Sequence, residues 1–205
     1  DAMRARWGAG EKRVVAVVGD LAKPKLGVSA ADLARLKGKV THCFHLAAVY
    51  DLSADAASQE QANIDGTRHA VQFAEAVKAG CFHHVSSIAA AGLYKGTFTE
   101  DMFEEATGLD NPYYRTKHDS EGLVRREKGI PWRIYRPGVV VGHSATGEMD
   151  KIDGPYYFFP AIRQVGNALP GWVRAVMVQG GTINIVPVDF VVDAMDCLMH
   201  ARGQN

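Results

Sequence analysis

"CFHHVSS", residues 81–87, is the stretch that decides the fold. It reads as a strand that ends on two serines, and the segments on either side alternate around it. Upstream, "RVVAVV" (13–18) is a short β-branched run followed by Gly19-Asp20, the pattern of a buried strand ending in a turn. "SAADLARLKG" (29–38) reads as a short helix that starts at Ser29 or Asp32 and stops at Gly38. "THCFHLAA" (41–48) is the next strand. From about Ala57 to Lys78, Ala62, Ala70, Val71, Ala74 and Val77 recur at helical spacing, with Gly80 as the expected stop. Downstream, "PYYRTKHDSEGLVRREKG" (112–129) reads as a helix ending at Gly129, and "WRIYRPGVVVG" (132–142) begins as a strand and leaves it at Pro137. Strands alternating with helices of this length predict a parallel sheet with helices on both faces.

The expected class is therefore α/β, a Rossmann-like doubly wound parallel sheet. A dinucleotide-binding fold normally opens on a strand and a glycine-rich turn. Gly8-Ala9-Gly10 precedes a strand instead of following one, and Arg13 stands where a further glycine belongs, so it reads as an ordinary loop. The first βαβ unit is expected upstream of residue 1. Past Gly142 the character changes: "HSATGEMDKIDGPYYFF" is a long polar loop running into aromatics, and "GGTINIVPVDF" reads as a turn, a strand and a helix start at Asp189. Ligands of open parallel sheets bind at the carboxyl ends of the strands, where long excursions supply the substrate side. The expected division is a partial NAD(P)-binding domain over 1–142 and a C-terminal substrate-binding portion over 143–205.

A chain of 205 residues, 47% hydrophobic, suffices for one well-packed α/β domain. Its 23 basic and 23 acidic residues balance, which gives no electrostatic reason to expect nucleic acid as a partner. No apolar run approaches the roughly 20 residues of a transmembrane helix. Cys43, Cys81 and Cys197 are isolated, without a C-x-x-C, and fit a reducing, cytoplasmic setting.

Chemistry gathers on the helix after Asn111. Tyr113 and Lys117 are four residues apart and share one face, so phenol and ammonium can converge on a common ligand. A free phenol, with a pKa near ~10, is a poor acid at neutral pH. A neighbouring Lys⁺ favours the phenolate and brings proton exchange within reach. Pro112 suits the first helical turn. Ser86 and Ser87 end a predicted strand, where a hydroxyl can donate to a carbonyl oxygen and stabilise developing charge; standing alone, they are equally two residues that close a strand.

The order "GDL" (19–21), "HLAA" (45–48), "NIDGT" (63–67), "HVSS" (84–87), "PYYRTK" (112–117), "YRPGVVVG" (135–142) and "VPVDFVV" (186–192) resembles the extended short-chain dehydrogenase/reductase family. "HVSSIAAAGLY", "GEMDKIDGPYYFF" and "NIVPVDFVVDAM" most resemble its bacterial fatty acyl-CoA reductase and thioester reductase branch. The likeness runs from about residue 13 to 200. It implies that Tyr113 is the catalytic acid/base and that Lys117 binds the nicotinamide ribose and lowers the Tyr113 pKa. Ser87, directly before Ile88, matches the family's catalytic Ser/Thr better than Ser86 does. By the same resemblance Asp20 accepts from the adenine amino group and Leu21 packs on the ring. Leu46, Ala47 and Ala48 run close to the cofactor, Val85 lines it, and Pro137, Gly138, Val139 and Val140 border the nicotinamide carboxamide. Asn63 has two readings, a family asparagine that positions backbone and water, or a local helix cap. The reductase branch implies NADP, with NAD as the alternative.

Three further features carry weaker readings. His42-x-x-His45 beside Cys43 has the look of a metal site, but positions 42 and 45 of a strand face opposite sides. Adjacent His83 and His84 likewise point apart, which favours structural roles. Tyr156, Tyr157, Phe158 and Phe159 either wall an acyl tunnel or form the core stripe of a helix continuing through Ile162 and Val165. "ALPGWV" (168–173) extends the same apolar surface or meets a membrane face. The expected function is reduction of a fatty acyl thioester, on CoA or a carrier, to aldehyde and onward to alcohol, with a small-molecule acyl thioester as partner. The competing readings are a sterol or nucleotide-sugar dehydrogenase or epimerase, and a non-catalytic NADP sensor, which would be expected to lack the tyrosine or the lysine.

Overall fold

The computed structural model describes residues 14–48, 60–149 and 183–201, together with the single positions Tyr156, Pro160, Arg163, Gln164 and Asn167. The chain divides into two compact units, residues 1–136 and 137–204. Gly8-Ala9-Gly10, Tyr157 to Phe159 and "ALPGWV" lie outside the described residues.

In the first unit, helix α1 (Ala30–Leu36) begins because Ser29 Oγ accepts from Asp32 N, and Gly38 at φ +73° follows its end. Strand β1 (His42–His45) comes next, then a π-helical turn (Gln61–Asp65) that runs into helix α2 (Gly66–Ala76). Strand β2 (Cys81–Val85), helix α3 (Pro112–Arg125) and strand β3 (Trp132–Tyr135) complete the unit. The sheet order is β1–β2–β3, and every pairing is parallel, with His45 opposite His84 and Val85 opposite Tyr135. Its core is Ala70, Val71, Ala74, Val77, Ala79, Phe82, Val124 and Ile130, so α2 and α3 pack against β2. All three strand ends point the same way, toward Leu46, Ser86 and Arg136. This is the parallel α/β, Rossmann-type framework that the alternation predicts.

Three local expectations change. The run beginning at Val14 forms no strand: it lies outside both sheets, and Val15 and Val18 are exposed. β-branched composition favours an extended chain, but a strand exists only where a neighbour completes its ladder. The turn after α2 takes its left-handed residue at Lys78 (φ +52°), not at Gly80. Glycine is needed at 80 for a different reason, since a Cβ there would stand 2.7 Å from Thr41 O, where the chain crosses to begin β2. Helix α3 stops at Arg125 rather than Gly129, because the Glu127 carboxylate accepts from Lys128 N and Gly129 N and holds the exit in a turn.

The second unit pairs strand β4 (Val139–Val141) in parallel with strand β5 (Ile185–Pro187), Val140 opposite Val186. Helix α4 (Val188–His200) follows directly. Asp189 in its first turn accepts from Ser144 N and Ser144 Oγ, and Tyr156 OH accepts from Gly142 N at 2.8 Å. Among the described residues no helix is long and apolar enough to cross a membrane.

Candidate active site

The site is built at the carboxyl end of β2 against the first two turns of α3. Asn111 caps that helix, its side chain accepting from Tyr113 N at 2.9 Å, and Pro112 fills the first helical position. Tyr113 is thereby held on the opening turn, and Lys117 follows one turn later on the same face. On the strand side the two serines separate cleanly. Ser86 is buried and donates to Glu121 Oε2 at 2.8 Å. Ser87, in extended backbone, turns the opposite way, and its hydroxyl lies near enough to the Tyr113 side chain to lower the phenol's pKa. Its Oγ also accepts from Ala89 N at 3.1 Å, which fixes the rotamer. Ser87, not Ser86, shares a site with Tyr113.

Burial pushes the Tyr113 phenol above its ordinary value of 10, and the neighbouring Ser87 hydroxyl opposes that rise. The Lys117 ammonium also lowers the pKa values of His45 and His84. Lys117 itself is 5% exposed, with no ion pair among the described residues, and burial lowers its pKa to about 8.

A polar chain supports this helix start. His45 Nε2 lies 3.0 Å from Thr67 Oγ1, and Thr67 Oγ1 donates to Asn63 O at 2.6 Å. Asn63 Nδ2 donates to Thr116 Oγ1 at 3.2 Å, between Tyr113 and Lys117 in sequence. Of the two readings of Asn63, neither alone describes it: the residue is buried and ties the π-helical turn before α2 to the middle of the candidate site. The stacked ring of His84 sits beside His45, buried, with both nitrogens lacking a hydrogen-bond partner among the described residues. Burial, then His45 and Lys117, bring its pKa down to about 3, and burial lowers that of His45 to about 4. On the other sheet face His83 bridges His42 and Tyr135 at 2.9 and 2.8 Å, so the paired histidines do point apart.

The remaining predicted contact residues fall in both units. Asp20 is exposed, accepting from Ala22 N at 2.9 Å, and Leu21 O meets His69 Nδ1 at 2.7 Å. Leu46 and Ala47 are exposed just past the end of β1, with Ala48 and Val85 half-buried. Pro137, Gly138, Val139 and Val140 belong to the second unit, where Val139 N donates to Asn184 O at 2.7 Å.

Sequence reasoning missed Glu121. It is fully buried and accepts from Ser86, from Arg125 Nε at 2.8 Å and from Arg136 Nη2 at 2.6 Å. Burial alone would raise its pKa, but the bonds from Arg136, Arg125 and Ser86 outweigh it and hold the carboxyl below 4.5. The signal was present: Tyr113, Lys117 and Glu121 recur every four residues, so a carboxylate on that buried face needed a cation.

Residues 2–195 match the NAD-binding family described as Male sterility protein. The chain belongs to this family. It is thus a member of the extended short-chain dehydrogenase/reductase type, a family of NAD(P)-dependent oxidoreductases. A linear gramicidin synthase of Brevibacillus parabrevis is 32% identical over 185 residues, covering 87% of this chain and 4% of that protein. The L-2-aminoadipate reductase large subunit of Penicillium chrysogenum is 30% identical over 196 residues, covering 87% of the chain and 13% of the relative. Among solved structures, the terminal R domain from the myxalamid PKS-NRPS pathway superposes with a TM-score of 0.74 at 26% identity, over 90% of this chain and 46% of that one. The chain therefore spans a small part of these two relatives and under half of the solved domain. Its residues fit the family's nicotinamide cofactor in one specific respect. A buried ammonium without an ion-pair partner among the described residues, one turn from a buried phenol, suits a ligand that presents hydroxyl groups.

Proposed function

We propose that this chain is part of an NADPH-dependent reductase that releases carrier-bound or CoA-bound acyl groups as aldehydes. The observation that carries the reading is the meeting of Ser87 and Tyr113 at the end of β2, with buried Lys117 one turn beyond. The likeness to a terminal R domain and to a reductase large subunit supports a thioester substrate over a free alcohol.

In this reading the bound cofactor supplies hydride to the thioester carbonyl carbon. Ser87 Oγ already accepts from Ala89 N, so its own proton is available to the carbonyl oxygen. Ser87 and Tyr113 together hold that oxygen as it gains charge. Lys117 holds the ribose and, once a ligand brings it into register with Tyr113, favours proton movement at the phenol. Cleavage of the C–S bond then yields aldehyde and thiol, with one proton and one hydride consumed per thioester. Reduction of the aldehyde to alcohol repeats the hydride step with Tyr113 Oη as the proton donor.

The test follows NADPH loss and free thiol together in the full-length protein with a long-chain acyl-CoA and with the same acyl group on a carrier protein. Both signals should appear in step, and Tyr113→Phe should lower both by about 10²–10⁴-fold. NADPH binding without thiol release from either substrate would refute thioester reduction.

A further inference from the structure

Glu121 has no part in the chemistry above, yet it is the most heavily bonded buried side chain near it. Its carboxylate takes Ser86 Oγ, Arg125 Nε and both Nε and Nη2 of Arg136. The same two arginines reach outward. Arg136 donates to Thr99 O and Met102 O, Arg125 donates to Glu100 O, and their guanidinium groups lie over the rings of Phe98 and Phe103. Phe103 in turn stacks on His118 of α3 at 4.1 Å. One buried charge thus gathers the end of β2, the end of β3, helix α3 and the segment from Phe98 to Phe103.

The geometry points to Glu121 as a positioning residue for the Ser87–Tyr113 contact, acting through Ser86. Tyr113 and Glu121 sit on one face of α3, about 12 Å apart along its axis. Their side chains converge on two successive residues of β2's extended exit, Ser87 and Ser86. A single contact would let the strand end slide or twist against the helix. Two contacts on opposite sides of the chain fix both movements, so drawing Ser86 toward Glu121 turns Ser87 toward Tyr113. An ionised carboxylate can only accept, so the Ser86 hydroxyl is committed as a donor and cannot compete with Ser87 for the substrate oxygen. The arginines keep that carboxylate ionised despite its burial.

The decisive variant is Ser86→Ala in the full-length protein, which removes one tether and leaves Glu121 with both arginines. Its kinetic arm rests on the thioester reading; its second arm, absorbance titration of the Tyr113 phenol by difference from Tyr113→Phe, needs no substrate. We expect kcat to fall about tenfold at an unchanged cofactor KM, as small misplacements in a site do. The Tyr113 pKa should rise as the Ser87 hydroxyl moves away, and Ser86→Thr, which keeps the hydroxyl, should restore both. Glu121→Gln should show a larger kcat loss where it folds; if it does not fold, Ser86→Ala decides. Wild-type kcat and an unmoved phenol titration in Ser86→Ala would overturn the assignment. Should the wild-type protein turn over no acyl thioester, the titration alone judges it: a raised phenol pKa in Ser86→Ala supports positioning, an unchanged one overturns it.

Discussion

Replacing Lys117 by methionine should make the protein more stable at pH 7 and the advantage should shrink as pH rises. Burial brings the ammonium from 10.5 to about 8. The folded state thus resists the proton that the unfolded chain holds, and the cost is fully present below pH 8 and relieved as pH rises toward 10.5. At 1.36 kcal/mol per pH unit the cost at pH 7 is about 3 kcal/mol. Linkage over the same two values reduces it to about 2 kcal/mol at pH 9. Methionine fills a similar volume without a charge, so urea unfolding followed by tryptophan fluorescence should show Lys117→Met ahead of wild type at pH 7. The gap should then narrow by about 1 kcal/mol at pH 9. Cys43, raised by burial to about 11, also titrates differently in the two states at alkaline pH, but equally in both proteins, so it cancels in the gap. A gap that stays flat or widens between pH 7 and 9 would refute the claim that Lys117 is a buried, uncompensated cation.

Acid should unfold the protein through its neutral histidines. His45, His83 and His84 are lowered by burial to about 4, about 4 and about 3, so their contribution is full above pH 6.5 and is lost as pH falls toward those values. Stability should drop by roughly 4 kcal/mol per pH unit near pH 5, and His84→Leu should remove about a third of that slope while raising stability by about 1–3 kcal/mol at pH 7; denaturant titrations at pH 7, 6 and 5 measure both. Gly92→Ala should cost more than about 2 kcal/mol in the same assay, because φ is +63° and the new Cβ would stand 2.1 Å from Thr107 O, whose segment bridges Gly92.

What the sequence conveyed well was whatever a few neighbouring residues decide among themselves. Ser29 capped α1 and Gly38 ended it, and Asn111-Pro112 opened α3 with Tyr113 and Lys117 in the expected relation. Alternation along a strand end sends Ser86 and Ser87 opposite ways, Ser86 to Glu121 and Ser87 toward Tyr113. What escaped depends on partners distant in sequence. The run from Val14 had strand composition but joins no sheet of the described residues. Gly80 looked like a helix stop, and its real constraint is the Thr41 carbonyl. Burial, set by the packing of distant segments, is the largest influence on both Tyr113 and Lys117. Glu121 lay in plain view as one more helical acid, and only the fold brings Arg136 to it from fifteen residues away.

The π-helical turn ahead of α2 makes the length of this short segment as informative as its composition. Such a turn holds one residue more than an α-helical turn, and it is this surplus that aims Asn63 at Thr116 while its carbonyl receives Thr67. Deleting Ile64 would let the turn relax to α geometry and swing Asn63 by about 100° around the helix. Both bonds would part, although no side chain that makes them had been altered. Substitutions within Gln61–Asp65 leave this surplus intact, whereas a change of one in residue count removes it. The segment therefore tolerates spelling errors better than a missing letter.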